Sequence, residues 1–500
     1  MDASRRTGCL SQTRVDVLKF IVDWVDHSAN QQNVLWVHGL AGSGKSTLST
    51  TIASNFGDSE RLGAFLFFDR DVSERSDPTV VIRTLAHQLG CSDPELGEAI
   101  RTVIDRNPNI VMSPLPLQFT KLILGPALSL AARSLPVIIV IDALDECGTA
   151  TTRSSLLELL TNDFENLPPY IRTIVMSRAE IDICNALEDQ HHILTYELDV
   201  KSPANSNDIL SYFRHRMALI RTHKKHLHLS LEWPGEEVLC KLVERTSGLF
   251  VWASTASKFI DGHEPRKRLE VVLQGDTGHS AGTALDALYK TALDAIDRWN
   301  DEDFIADFRD ILGVILIARQ PLSTSAIDAL LHLPVDRPST YTISLLRCIL
   351  QQKPSVRVLH PSFADFLMTK QRCGREIWFF DRFTYNRCLA FRCLDRMDAV
   401  LKHNLCNMTL SSDRTNESLS EDVSYSCVFW IDHICVIEDD LPPVIDRLHR
   451  FLFSHFLHWF EAMSILQKSR DTISLVARLL NWLSVSHSNW TAFSIAYRPN

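Results

Sequence analysis

No Cys-x-x-Cys pair occurs in the chain, so neither a cysteine zinc site nor a thioredoxin-type redox motif is indicated. The 12 scattered cysteines are expected to be reduced and mostly buried. Glycine and proline are scarce, at 18 and 20 of 500 residues, together below the usual share of about 12%. So few turn-formers point to a helix-rich chain and away from an all-β one. No stretch approaches the ~18 uninterrupted apolar residues of a membrane span. The opening MDASRRTGCLSQTR lacks the apolar core of a signal peptide, so the expectation is a cytoplasmic protein. Positive charge is not in excess either. Lys and Arg number 51 against 61 Asp and Glu, a formal net charge of −10, which argues against a nucleic-acid coat or a polybasic membrane binder. No regular internal repeat is visible, so nothing supports a solenoid or a propeller.

What is present is ordinary for a folded chain: 45% hydrophobic and 22% charged residues, with 500 residues suggesting about three domains. Residues 10–26 place Val15, Leu18, Ile21, Val22 and Val25 at helical spacing, an amphipathic lead-in helix. Four short apolar runs then read as buried strands: NVLWVHG from Asn33, LGAFLFF from Leu62, PVIIVIDALDE from Pro136 and IRTIVMSR from Ile171. Helical patterns lie between them, in TVVIRTLAHQL from Thr79, LQFTKLILGPALSLAARS from Leu117 and TRSSLLELL from Thr152. Alternating strand and helix predicts a parallel α/β sheet with flanking helices. A last strand is expected over Tyr196 to Val200, and the remainder reads as mostly helical. Breaks are expected at Lys201, His223, Gln274 and Ser411, where polar, loop-forming stretches begin.

The strand ending at His38 runs into Gly39-Leu-Ala-Gly42-Ser43-Gly44-Lys45-Ser46-Thr47, a complete G-x-x-x-x-G-K-[ST] phosphate-binding loop. Its glycines let the backbone N–H groups turn inward on phosphates, and the helix that follows adds its positive end. Lys45 would place an ammonium on the β and γ phosphates, and Ser46 a hydroxyl on Mg²⁺. The acidic partner is expected at the end of a hydrophobic strand, where Asp142 would hold the magnesium shell. Asp145 and Glu146 follow in position to orient or deprotonate a water. Alternatively, these acids simply begin a helix and favour its dipole. Arg178, at the tip of another strand, could neutralise a γ-phosphate or pair with a nearby carboxylate.

With these elements placed, Asp142-Ala143-Leu144-Asp145-Glu146 resembles the second motif of the NACHT subgroup of signal-transducing (STAND) P-loop ATPases. Gly8-Cys9-Leu10 with Thr13-Arg14, LGAFLFFDRD, LAHQLG, IDALDEC and MSRAE resemble the mushroom-type fungal proteins with a nephrocystin-like NACHT domain. Gly248-Leu249-Phe250-Val251-Trp252-Ala253 resembles the helical-domain motif of that family, and Pro321-Leu322-Ser323 with Leu359 to Leu367 its winged-helix region. The resemblance implies a lead-in over 1–30, a nucleotide-binding domain over 31–200, a helical domain over 201–280, a winged-helix-like domain over 281–370 and a helical region over 371–500. It implies ATP or ADP with Mg²⁺ as ligands, and a switch closed with ADP and open with ATP. Self-association on activation, signalling protein partners and a role in fungal innate immunity or self/non-self recognition are implied with it. The many relatives that continue into a repeat sensor imply a fragment, a shortened product or a sensor elsewhere. It also implies a contact of His360 with the phosphates of bound ADP; the other reading of His360 is a capping or core histidine before Pro361. A different function class stays open, an ATPase, GTPase or kinase with steady turnover.

Overall fold

The computed structural model describes residues 6–27, 32–70, 72–130, 135–275, 280–352, 354–405, 419–439 and 441–496, with side chains through 484 except that of 73. The chain divides into two compact units, Met1–Leu288 and Tyr289–Asn500.

The first unit is built on a five-stranded sheet of β1 (Val34–His38), β2 (Leu62–Phe67), β3 (Val137–Asp142), β4 (Ile171–Ser177) and β5 (Ile193–Glu197). All pairings are parallel and the order is β2-β3-β4-β1-β5. Because side chains alternate along a strand, each apolar run serves two cores. Val34, Trp36, Leu66, Ile139, Ile141 and Val175 face the helices Val81–Ser92, Pro94–Arg106 and Ala150–Asn162. Leu35, Val37, Phe65, Phe67, Val140 and Met176 face α1 (Val15–Asp26) and α2 (Lys45–Asp58). Burial on both faces is why these strands read as continuous apolar runs and not as alternating ones.

Three expectations shift. α1 starts at Val15, after a left-handed Arg14, and buries Val17, Ile21, Trp24 and Val25, whereas Val15 and Val22 are exposed. Its inward stripe is thus set by Val17 and Trp24, not by Val15 and Val22. β5 begins at Ile193, three residues before the expected start. It is an edge strand paired only with β1 and buried on alternate positions, so no apolar run marks it. The segment from Leu117 is helical to Ser129, with a wide turn over Thr120–Leu124; its residues 131–134 lie outside the described ones, as do 276–279 and 411–418 of the expected breaks. The described cysteines are free thiols, and burial pushes Cys147, Cys393 and Cys427 up to about 12. Of the 11 described cysteines 5 are buried and 3, Cys91, Cys240 and Cys388, are exposed, so fewer are buried than the expected majority.

Among its described residues the regular structure of the second unit is helical apart from one two-stranded antiparallel hairpin, Leu350–Gln351 with Arg357–Val358. Its helices Arg382–Val400, Glu421–Ile434 and Leu441–Ile465 pack together around Trp430, which meets Trp459 and Phe451 edge to face at 5.7 and 5.2 Å. A buried polar chain crosses this core. Arg319 N–H donates to Tyr425 Oη, Tyr425 O–H to His433 Nε2 and His433 Nδ1–H to Asn386 Oδ1. Burial holds His433 well below its ordinary value, so it stays neutral, as this pattern of one donor and one acceptor requires. Among the described residues no helix is long and apolar enough to cross a membrane.

Helix Val81–Ser92 meets helix Pro94–Arg106 where Gly90 faces Gly97, and a Cβ on Gly97 would lie 2.4 Å from Gly90 O. Gly97→Ala is therefore expected to lower unfolding free energy in denaturant titrations by about 1–3 kcal/mol. Gly282→Ala, in a helix with open space around the glycine, is expected to be neutral or slightly stabilising.

Candidate phosphate-binding site

Parallel pairing brings the carboxyl ends of β1, β3 and β4 to one side of the sheet, where open α/β sheets bind ligands. β4 lies between β1 and β3, so the loop after His38 and the acid at the end of β3 are two strand spacings apart, about 10 Å. That gap is of the size a chain of phosphates with its cation spans.

The loop turns through Gly42 at φ 79° and Gly44 at φ 94°, left-handed conformations that strain any residue with a Cβ. α2 then starts at Lys45 and aims its free N–H groups back at the loop. Lys45 Nζ donates to the loop's own carbonyls, Gly39 O at 2.7 Å and Leu40 O at 3.0 Å. Ser43 Oγ is buried without a hydrogen-bond partner.

Asp142 is 1% exposed. Its Oδ2 takes Arg6 Nη1 at 2.5 Å, whereas its Oδ1 is buried and unpartnered. A buried acceptor without a partner costs about 1–3 kcal/mol, which a hydrated cation would relieve. Oxygen donors from Asp142 and Ser46 are the set that Mg²⁺ accepts, so the residues fit that ion.

Asp145 accepts from Arg178 N at 2.9 Å and from Arg178 Nε at 3.2 Å, one oxygen each. Glu146 Oε2 takes Arg70 N at 3.4 Å. Arg178 thus makes the carboxylate pair that was one of its two expected roles, and of the two acids it is Glu146 whose carboxylate stays out of that pair. Ala143 adopts φ 57°, which turns the chain from β3 into the short helix Leu144–Glu146 and brings both acids round to the same end of the sheet. His360 lies in the second unit, as N-cap of helix Pro361–Leu367, and its Nδ1 accepts from Ser362 N at 3.2 Å.

Several residues of this region have contacts at the site that the sequence reading did not assign to them. Arg6 caps Asp142 and stacks on Phe67, its guanidinium 4.3 Å from the ring centre. Arg153, 2% exposed, donates to Asp145 O at 2.7 Å and pairs with Asp182 and Glu180. Its place on the buried stripe with Leu156, Leu157 and Leu160 was the available clue, a charge at a core position. Arg14 donates to Ser43 O at 2.6 Å and lies over the Phe250 ring at 4.9 Å, and Asp208 holds its backbone N–H. Val251 N–H donates to Gly42 O at 3.1 Å, so the turn from Gly248 docks on the phosphate loop. Gly248 sits at φ 81°, and a Cβ there would lie 1.9 Å from Val200 O.

Such a loop, strand order and buried strand-end acid define a P-loop nucleoside-triphosphatase fold. Residues 19–178 match the family described as Nephrocystin 3, N-terminal. The chain is 24% identical over 496 residues to the vegetative incompatibility protein HET-E-1 of Podospora anserina, covering 91% of this chain and 35% of that protein. It therefore spans about a third of the length of that relative. Among solved structures it is similar to a STAND protein with a tetratricopeptide repeat sensor from Pyrococcus horikoshii, at 14% identity and a TM-score of 0.41, covering 96% of this chain and 64% of that one. A second likeness is to Cdc6p from Pyrobaculum aerophilum, at 12% identity and a TM-score of 0.33, covering 71% and 93%. Over residues 19–178 the chain is thus similar to the Nephrocystin 3, N-terminal family, and the loop and acids there are those of a P-loop NTPase.

Burial, with a smaller push from the Arg178 charge, brings Lys45 down to about 8 from an ordinary 10.5, against the opposing pull of Asp145, Asp142 and Glu146. Between those two values the unfolded chain holds the Lys45 proton and the folded chain does not, so stability rises with pH across that window. Ligand-free protein is expected to show this gain in denaturant titrations from pH 8 to 10.5. In Lys45→Met the Lys45 share of it should be missing, and identical slopes for the two proteins would show an unshifted lysine.

Proposed function

We propose that this chain is a nucleotide-controlled signalling switch of the NACHT type, binding ADP or ATP with Mg²⁺. The observation that carries the reading is the complete phosphate loop facing a buried Asp142 whose Oδ1 has no partner. Gly39, Gly42, Ser43, Gly44, Lys45, Ser46 and Thr47 would hold the phosphates, and Ser46 and Asp142 the metal shell. Bound Mg²⁺ supplies charge neutralisation between the phosphate oxygens. Lys45 would exchange its two carbonyl acceptors for phosphate oxygens. Glu146 is the better candidate than Asp145 for ordering a water, because Arg178 occupies both Asp145 oxygens. That pairing also weighs against an ATPase or kinase with steady turnover, and favours slow hydrolysis.

The switch needs a second part that reads the nucleotide. The helices after β5, over 201–280, would supply it through Val251, bonded to Gly42 O, and through Asp208 and Phe250, which hold the Arg14 that bonds Ser43 O. Helices Glu302–Ile317, Thr324–Leu331 and Ser339–Leu345 followed by the small hairpin support the winged-helix reading of 281–370. The region 371–500 is read as a helical continuation. Self-association in the ATP state, signalling partners and a role in fungal self/non-self recognition rest on the likeness to the incompatibility protein.

Two experiments test this reading. Lys45→Ala is expected to abolish ADP and ATP binding in calorimetric titration with the fold intact by circular dichroism, and unchanged affinity would refute the site. For the switch, His360→Leu and His360→Asn are compared. Asparagine retains an N-cap acceptor and leucine does not, so only the leucine variant should lose about 0.5–2 kcal/mol of stability. Both should release ADP faster by about 10- to 100-fold, the loss of one charge-assisted hydrogen bond, and both should self-associate in sedimentation without a signal. Off-rates and mass unchanged in both would leave His360 as a cap alone.

A further inference from the structure

At the opposite end of the sheet from the phosphate loop, Glu165, His191 and His192 each bring one ligand atom within 4.8 Å of the others. Glu165 lies in the short helix Phe164–Asn166, and the two histidines immediately precede β5. The segments are held together by backbone and amide bonds: Asn33 Nδ2 donates to Phe164 O, and Val34 N–H donates to His192 O.

His192 carries the argument. It is 3% exposed, its Nε2 lies 3.1 Å from Leu160 O, and its Nδ1 is buried without a hydrogen-bond partner. A carbonyl oxygen only accepts, so Nε2 must be the N–H donor and Nδ1 must carry a lone pair. A histidine whose one nitrogen donates to a backbone carbonyl while the other presents a bare lone pair is held in the form in which imidazole binds metals. His191 Nε2 and Glu165 Oε2 are 3.3 Å apart. Two ligands on one tetrahedral zinc, with bonds of about 2.0–2.1 Å, are separated by about 3.3 Å.

We propose that Glu165, His191 and His192 form a site for a borderline divalent transition ion, with Zn²⁺ as the occupant and water completing the shell. Two imidazoles and one carboxylate suit Zn²⁺ over Mg²⁺, which keeps to oxygen donors. The ion would clip the turn after helix Ala150–Asn162 to the start of β5, the strand that flanks β1. The site is separate from the Mg²⁺ site, since the length of β1 lies between them.

The test uses the full chain, stripped with chelator and titrated with Zn²⁺ in excess Mg²⁺. Wild type is compared with His191→Ala and Glu165→Gln, two solvent-exposed positions (79% and 38%) where folding is not at stake. Wild type is expected to bind one Zn²⁺ equivalent that His191→Ala lacks, with Glu165→Gln weakened about 10-fold or more. Co²⁺ substitution should give visible ligand-field bands, lost in His191→Ala, without a thiolate charge-transfer band. Zinc should also raise the melting temperature of wild type more than that of His191→Ala. Equal stoichiometry and affinity in all three proteins, or a cobalt spectrum that His191→Ala leaves unchanged, would overturn the proposal.

Discussion

Charge brought together without water is the constraint on which the phosphate site rests. A parallel sheet covered by helices on both faces has its polar opening at the strand ends, and here Lys45, Asp142, Asp145, Glu146 and Arg178 converge at one of them. Removing each from water is costly, so every charge must find a counter-charge or a carbonyl. Arg178 neutralises Asp145, Arg6 neutralises half of Asp142, and Lys45 borrows the loop's carbonyls. The arrangement is balanced but not satisfied, because Asp142 Oδ1 and Ser43 Oγ remain without partners. A site of this kind is preorganised: the cost of assembling the charges is met by folding, before any ligand arrives.

The same opening governs how the rest of the first unit attaches to it. Gly42 O and Ser43 O, two carbonyls of the loop, accept from Val251 N–H and Arg14 Nη2. Phe250 supports the Arg14 guanidinium, and Asp208 fixes its backbone. Helices Pro203–His223 and Phe250–Ile260 are thus joined to the loop by polar bonds of defined direction, more sensitive to its geometry than apolar packing. Small movements of the loop have a physical route into those helices.

Much of this was legible in the sequence where a residue's job is local. The phosphate loop follows from spacing, and β1 to β4 from apolar runs that only a strand buried on both faces needs. β5 was misplaced because an edge strand alternates, and Ile193-Leu-Thr-Tyr-Glu197 has no run to see. Arg6, Arg14 and Arg153 were invisible as site residues because their partners lie 136, 29 and 8 or more positions away. The pairing of Arg178 with Asp145 was foreseeable only as one of two options, since both roles ask for the same residue type at the same strand tip. The wide turn over Thr120–Leu124 has no residue that announces it.

The bond between Arg6 and Asp142 has a consequence in counter-ion exchange. The guanidinium and a hydrated divalent cation draw on the same carboxylate, one at Oδ2 and the other at the unpartnered Oδ1, so each weakens the other's hold on Asp142. Arg6 is tied to the chain that runs past Gly8 and Cys9, whose N–H is anchored on Thr51 of α2. The protein therefore carries its own competitor for the metal, tethered and always at high local concentration. The hold of Asp142 on a cation is then set in part by how firmly Arg6 stays on its other oxygen.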